Sequence, residues 1–227
     1  MKKIGFIGAY DKTDLILYVA KAIAEMDIKV LVIDTTITQK ARYIVPCIAP
    51  SKYYITEHEK IDVAVGFESL EDIQKYLSVE TLPYDVILID IDENENFKKY
   101  NMEKANKNYF VTGFDSYSLK KGLEIIGKMQ DKIVMTKVLF SQEMLEEEDD
   151  YLNFLSFYYA VKWEPRKIYF PFETGDASAI IENQRTARIR FKNLSETYKE
   201  GLYALCEDIL PEGKKSEIRK IIFKRGE

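Results

Sequence analysis

Three short apolar runs constrain this chain more than any other feature. Ile4-Gly5-Phe6-Ile7-Gly8, Val30-Leu31-Val32-Ile33-Asp34 and Val86-Ile87-Leu88-Ile89-Asp90 are short and show no polar alternation. A strand without alternation is covered on both faces, as in a parallel sheet packed between helices. Between the first two runs the apolar spacing turns helical, at Leu15, Val19, Ala22, Ile23 and Met26. Strand, helix and strand in that order predict a βαβ unit, whose crossover is right-handed.

The same alternation continues. Helices are predicted at 69–77, 116–129, 142–161 and from 191 or 194 to 210, and strands at 109–113, 132–140 and 167–170, the last closed by Pro171. The stretch 41–66 is less regular, with short strands predicted at 53–56 and 63–66. The expected fold class is α/β, a doubly wound, mainly parallel sheet with helices on both faces. A chain of 227 residues with 46% apolar residues can build one such core. The expected division is one domain over 1–212 and a basic tail over 213–227. No apolar stretch approaches the roughly 20 residues that span a bilayer. Cys47 and Cys206 form no zinc or redox motif and fit a reducing cytosol. His58, the single histidine, sits in a polar stretch and reads as a surface residue.

In an open α/β sheet, ligands lie beyond the carboxyl ends of the strands. That rule puts the turn Gly8-Ala9-Tyr10-Asp11-Lys12-Thr13-Asp14, Asp34 and Asp90 on one edge. A phosphate loop works through backbone N–H groups at a helix N-terminus, a lysine on the β/γ-phosphates and a Ser or Thr on Mg²⁺. Lys12 and Thr13 stand where those two side chains belong. The two glycine positions of the pattern hold Phe6 and Asp11. The alternative reading makes 12–14 only the first turn of a helix capped by Asp11.

On these residues the chain resembles the MinD/ParA group of P-loop ATPases. Residues 7–14 align without a gap to the family's loop, and Lys29-Val30-Leu31-Val32-Ile33-Asp34-Thr35-Thr36 falls at the expected distance. Asp85-Val86-Ile87-Leu88-Ile89-Asp90 is similar to the later Asp-ended strand, and Ile168-Tyr169-Phe170-Pro171-Phe172 to the segment beside the base. The resemblance implies a SIMIBI-type P-loop NTPase fold with ATP and Mg²⁺ as ligands. Gly8, Ala9, Tyr10, Asp11, Lys12, Thr13 and Asp14 would lie at the phosphates, and Pro171 and Phe172 at the base. Thr13, Asp34 and Asp90 would surround the metal.

The departures imply that binding is weak or lost. Ile7 replaces the lysine that reaches the partner's phosphates, Asp11 the last loop glycine, and Thr36 the water-positioning aspartate. A carboxylate about 4 Å from a phosphate costs about 4 kcal/mol at an effective dielectric of 20. Phosphoryl transfer is positioning and charge stabilisation, so these losses remove most catalysis. Such erosion resembles the atypical TadZ/CpaE group of pilus assembly. The implied role is a cytoplasmic positioning or scaffold factor, a homodimer within a larger assembly. Two alternatives remain open. One is an active ATPase for plasmid partition or conjugation with an unorthodox loop. The other is a nucleotide-free flavodoxin- or receiver-like domain.

Four further stretches are singled out. The tail 214–225 is basic and amphipathic, with Ile218, Ile221 and Ile222 on one face. It suits either a peripheral membrane contact or packing on the domain. The run 146–150 reads as a solvated acidic loop or helix start, and Phe154, Phe157, Tyr158, Tyr159 and Trp163 as core or dimer surface. Arg185, Arg188, Arg190 and Lys192 are too few, on a chain of net charge −5, to make DNA the expected partner.

Overall fold

The computed structural model describes residues 1–48, 51–141, 146–171 and 173–224. The first half runs Lys2–Ile7 (β1), Thr13–Ala24 (α1), Val30–Asp34 (β2), Ala41–Ile44 (α2), Tyr54–His58 (β3), Ile61–Val65 (β4), Leu70–Leu77 (α3), Val86–Ile91 (β5) and Asn94–Lys99 (α4). The second half runs Lys107–Gly113 (β6), Ser116–Gly127 (α5), Ile133–Ser141 (β7), Glu146–Leu155 (α6), Val161–Pro171 (β8), Thr174–Thr186 (α7), Glu196–Ile209 (α8) and Lys215–Phe223 (α9). The strands form one sheet in the order β3-β4-β2-β5-β1-β6-β7-β8. Every pairing among the described residues is parallel except β3 with β4.

The three unalternating runs are β2, β5 and β1, adjacent at the centre, and every residue of β2 and β5 is buried. Their two faces feed two cores. One holds Ile4 and Phe6 of β1 with α1, α8 and α9. The other holds Ile7 with Ile73 of α3, Phe97 of α4, Leu119, Leu123 and Ile126 of α5, and Leu152 of α6. Helix α1 is buried all round except at Asp14, because α8 and α9 cover the side that the sheet does not.

Four elements differ from expectation. First, β3 and β4 form an antiparallel hairpin. Its turn residues Glu59 and Lys60 both take positive φ, 54° and 69°, which suits a tight two-residue connection. It also leaves His58 half-buried rather than at the surface.

Second, the helix expected over 142–161 is described from Glu146 and ends at Leu155, with residues 142–145 outside the described range. The chain after it turns into β8, which starts at Val161, earlier than expected. Third, α7 was not anticipated, since its apolar pattern is weak. Its start is nonetheless written in the sequence as a capping box, Glu173 with Asp176.

The fourth concerns the tail. Ile218 and Ile222, the face that suits a lipid surface, are fully buried where α9 packs on α8 and α1. That apolar face is committed to the core. Residues 225–227 lie outside the described range.

Candidate functional site

The carboxyl ends of β1, β2 and β5 meet at one edge. Asp34 and Asp90 sit there as register partners on neighbouring strands. Gly8 follows β1 with φ 145°, and a Cβ at that position would lie 2.1 Å from the Val111 carbonyl oxygen. Only glycine lets the chain leave the sheet so close to β6. Its N–H donates to the Ile91 carbonyl (3.0 Å). The turn then delivers Lys12 and Thr13 to the N-terminus of α1.

Lys12 does not project into solvent. Its Nζ lies 2.7 Å from Asp90 Oδ1, donates to the Gly8 carbonyl (2.8 Å), and both side chains are almost wholly buried. Thr13 Oγ1 donates weakly to Asp90 Oδ2 (3.4 Å). Burial pushes the Asp90 carboxyl up to about 6. Lys12 opposes that rise, and Asp34 and Asp92 add to it. A salt-bridged carboxylate would ordinarily move the other way. This one is undercompensated.

Asp34 is engaged elsewhere. Its Oδ1 accepts from the Thr36 N–H (3.0 Å) and hydroxyl (2.6 Å), and its Oδ2 from the Ala41 N–H at the start of α2 (2.9 Å). Thr36, where the family's water-positioning aspartate would stand, therefore serves to hold Asp34. Ile7 is fully buried in the core.

Asp11 has a role of its own. Its Oδ1 accepts the Thr13 N–H (3.3 Å), so a carboxylate already sits at the anion position of the helix N-terminus. Its Oδ2 pairs with Lys40 at 2.5 Å, and Lys40 also reaches Asp14 at 3.0 Å. Burial works against the charge on Lys40, but Asp14 and Asp11 outweigh it and raise its ammonium above the ordinary value. Gln184 of α7 donates to both oxygens of Asp14 (2.9 and 3.0 Å). Asp92 takes the Ile37 N–H (3.1 Å), and burial raises its carboxyl.

Among the described residues the site thus gathers Asp11, Asp14, Asp34, Asp90 and Asp92 against Lys12 and Lys40. A triphosphate entering here would meet an excess of negative charge.

Tyr10 closes the loop's other side. Its ring stacks on Phe140 (4.6 Å), Phe140 on Phe170 (5.0 Å), and Phe170 meets Tyr198 edge-on (5.0 Å). A cleft of about 410 Å³ runs beside this ladder, lined by Asp11, Lys40, Ile180, Ile181 and Gln184 among others. Ala9 lies half-buried in the loop. Pro171 ends β8 in register with Ser141 and does not line the cleft. Phe172 lies outside the described residues.

The structure therefore brings Gly8, Asp11, Lys12, Thr13, Asp14, Asp34 and Asp90 to one edge. It adds Lys40, Asp92 and Gln184, which sequence reasoning missed. Asp92 had a signal, since Asp90-Ile91-Asp92 is an acidic pair at a strand end. Lys40 and Gln184 had none, because each arrives from a distant segment. Of the arginine cluster, Arg188 pairs with Glu59 (2.8 Å).

No family model and no curated protein matches the sequence. Solved structures do match in shape. The MinC:MinD cell division protein complex of Aquifex aeolicus aligns at TM-score 0.57 and 13% identity, over 93% of this chain and 98% of that one. A ParA family ATPase from Chlorobium tepidum aligns at 0.59 and 14%, over 90% and 98%. A Borrelia burgdorferi B31 structure described as a plasmid partition protein bound to AMPPNP aligns at 0.53 and 11%, over the whole of both chains. At such identities the likeness speaks to architecture alone, and the architecture is that of the MinD and ParA ATPases.

Proposed function

We propose that this chain uses a MinD/ParA-type fold without nucleotide turnover, as a positioning or scaffold factor in a larger cytoplasmic assembly. The observation that carries the reading is Lys12. Its ammonium is withdrawn onto Gly8 and Asp90 and is almost wholly buried. The Asp11 carboxylate occupies the N–H that a phosphate would need. A fold that keeps its loop and fills it with its own charges has a use for the shape. The MinD of Aquifex aeolicus is seen in a complex with MinC, which supports protein partners as the use to look for here. The pilus-assembly group is the process we favour, with a homodimer as the working unit.

A second reading keeps an ATPase for partition or conjugation. Lys12 and Thr13 both touch Asp90, and an open cleft adjoins them, so the parts of a metal–phosphate site are near one another. A ligand would have to pull Lys12 off Asp90 and displace Asp11.

Titration with ATP, with and without Mg²⁺, separates the two. The scaffold reading expects no saturable binding at millimolar nucleotide and no phosphate release. Micromolar binding that disappears in Lys12→Ala, with turnover, establishes the second reading instead.

A further inference from the structure

Four aromatic rings stand in solvent within eight residues of one segment. Tyr151 is 49% exposed, Phe154 and Phe157 75% each, and Tyr158 92%. Tyr151 and Phe154 lie on α6 at helical spacing, and Phe157 and Tyr158 follow in the turn after it, their rings edge-on at 5.1 Å. Soluble chains seldom leave such a stripe open without a use, and aromatic residues are enriched where proteins meet.

The opposite face of the same helix is fixed with unusual firmness. Asp149, Leu152 and Ser156 are buried, at the spacing of one helical face. Asp149 pairs with Lys137 of β7 at 2.5 Å and with Lys167 of β8. Lys137 also donates to Asn153 (2.6 Å) and lies 5.1 Å from the Trp163 ring centroid. Trp163 Nε1 donates to Ser156 Oγ (2.9 Å). The aromatic stripe is therefore presented in one orientation, which lowers the ordering cost of binding.

We infer that this face of α6 is a docking site for a protein segment that carries apolar side chains bordered by Lys or Arg. Charge selects the occupant. Glu147 and Asp150 are exposed on the same face, at the N-terminal end of the stripe. They repel an anionic lipid surface. Strand addition at the adjoining sheet edge is disfavoured, because β8 carries Lys162, Pro165, Arg166 and Pro171 along it. The mode that remains is side-chain packing of a basic amphipathic segment. The inference does not depend on whether the loop binds nucleotide.

Trp163, the chain's single tryptophan, touches α6 and reports on the site. The full chain is titrated with a synthetic Leu/Lys amphipathic helix, with a Leu/Glu helix of the same pattern, and with phosphatidylcholine–phosphatidylglycerol vesicles. The expected result is a saturable Trp163 response to the Leu/Lys helix alone. It should weaken at least about tenfold in Phe154→Ala with Tyr158→Ala, and severalfold in Asp150→Lys. Both variants change exposed groups, and an unchanged melting temperature confirms that they fold. Equal affinity in the aromatic variant overturns the proposal. So does equal binding of the Leu/Glu helix, or vesicle binding lost in the same variant, which makes the face a lipid contact. Sedimentation that shows self-association abolished by Phe154→Ala assigns the face to a second copy and also overturns it.

Discussion

Among the described residues two lysine–aspartate pairs lie buried, and they differ in a way that exposure does not reveal. Lys12–Asp90 and Lys137–Asp149 have the same side-chain exposures, 2% and 3%, with separations of 2.7 and 2.5 Å. Burial works against both carboxylates. At Asp149 it is outweighed by Lys137 and Lys167, and the carboxyl sits below its ordinary value. At Asp90 burial wins over Lys12, with Asp34 and Asp92 adding to it, and the carboxyl is pushed up to about 6. One aspartate shares two cations, while the other is the buried member of a crowd of carboxylates. The first pair to be noticed from the sequence is thus the poorly compensated one. The well-compensated pair is a structural anchor, and a buried lysine is not by itself a sign of a site.

The largest effect should come from breaking the anchor. Asp149→Ala leaves Lys137 buried with Asn153 and an aromatic face but no carboxylate. Truncating one member of such a pair costs about 3–5 kcal/mol. Urea unfolding followed by Trp163 fluorescence measures it. A cost below about 1 kcal/mol would put the anchor in doubt. The pH dependence has a definite sign. A carboxyl lowered in the fold contributes stability above its unfolded value, near 4, and loses it as pH falls through the folded value. The gap between wild type and Asp149→Ala should therefore close in acid.

Lys12→Met should cost less, and its cost should fade as pH falls through about 6, well above the acid range in which the Asp149 gap closes. A carboxyl raised in the fold contributes stability below its unfolded value, and that contribution is lost as pH rises through about 6. Removing Lys12 raises the folded value further and deepens the alkaline loss. We expect a cost of about 2–3 kcal/mol at pH 8 and less than about 1 kcal/mol at pH 5, where Asp90 is already neutral. Denaturant midpoints at the two pH values decide it. A cost that is equal at both, or larger in acid, means that Asp90 is ionised throughout and the contrast with Asp149 fails.

The same contrast explains what the sequence could reveal. The central strands were legible because β1, β2 and β5 lack alternation, and a period is a local property. Asp34 and Asp90 were legible as neighbours because strand ends in a parallel sheet share an edge. The run 146–150 reads as uniformly solvated, yet Asp149 is buried. Its partners Lys137 and Lys167 lie on β7 and β8, and no local pattern distinguishes it from Asp150. Lys40 closing on Asp11, and Gln184 on Asp14, are contacts between segments that meet only once the sheet has formed. Polar contacts across long sequence separations leave no period, so the site's chemistry was less legible than its position.

The smallest effect sharpens the comparison most. Asp11 holds the Thr13 N–H at 3.3 Å and pairs with Lys40, but its side chain is 56% exposed. An exposed pair of this kind is worth about 0–1 kcal/mol, so Asp11→Asn should barely move the melting temperature. If Asp11 alone kept anions out, this substitution would open the site, and added phosphate or ATP would then stabilise the variant. We expect no such stabilisation. With Asp11 neutral, Asp14, Asp34, Asp90 and Asp92 still oppose Lys12 and Lys40, and Lys12 remains on Asp90. A ligand that bound the folded form at one hundred times its Kd would stabilise it by about 2.7 kcal/mol, well within reach of a thermal scan. A rise of that size in Asp11→Asn, absent in wild type, would locate the block in one exposed carboxylate. No rise in either locates it in the charge balance of the buried edge, which is the property that sets Asp90 apart from Asp149.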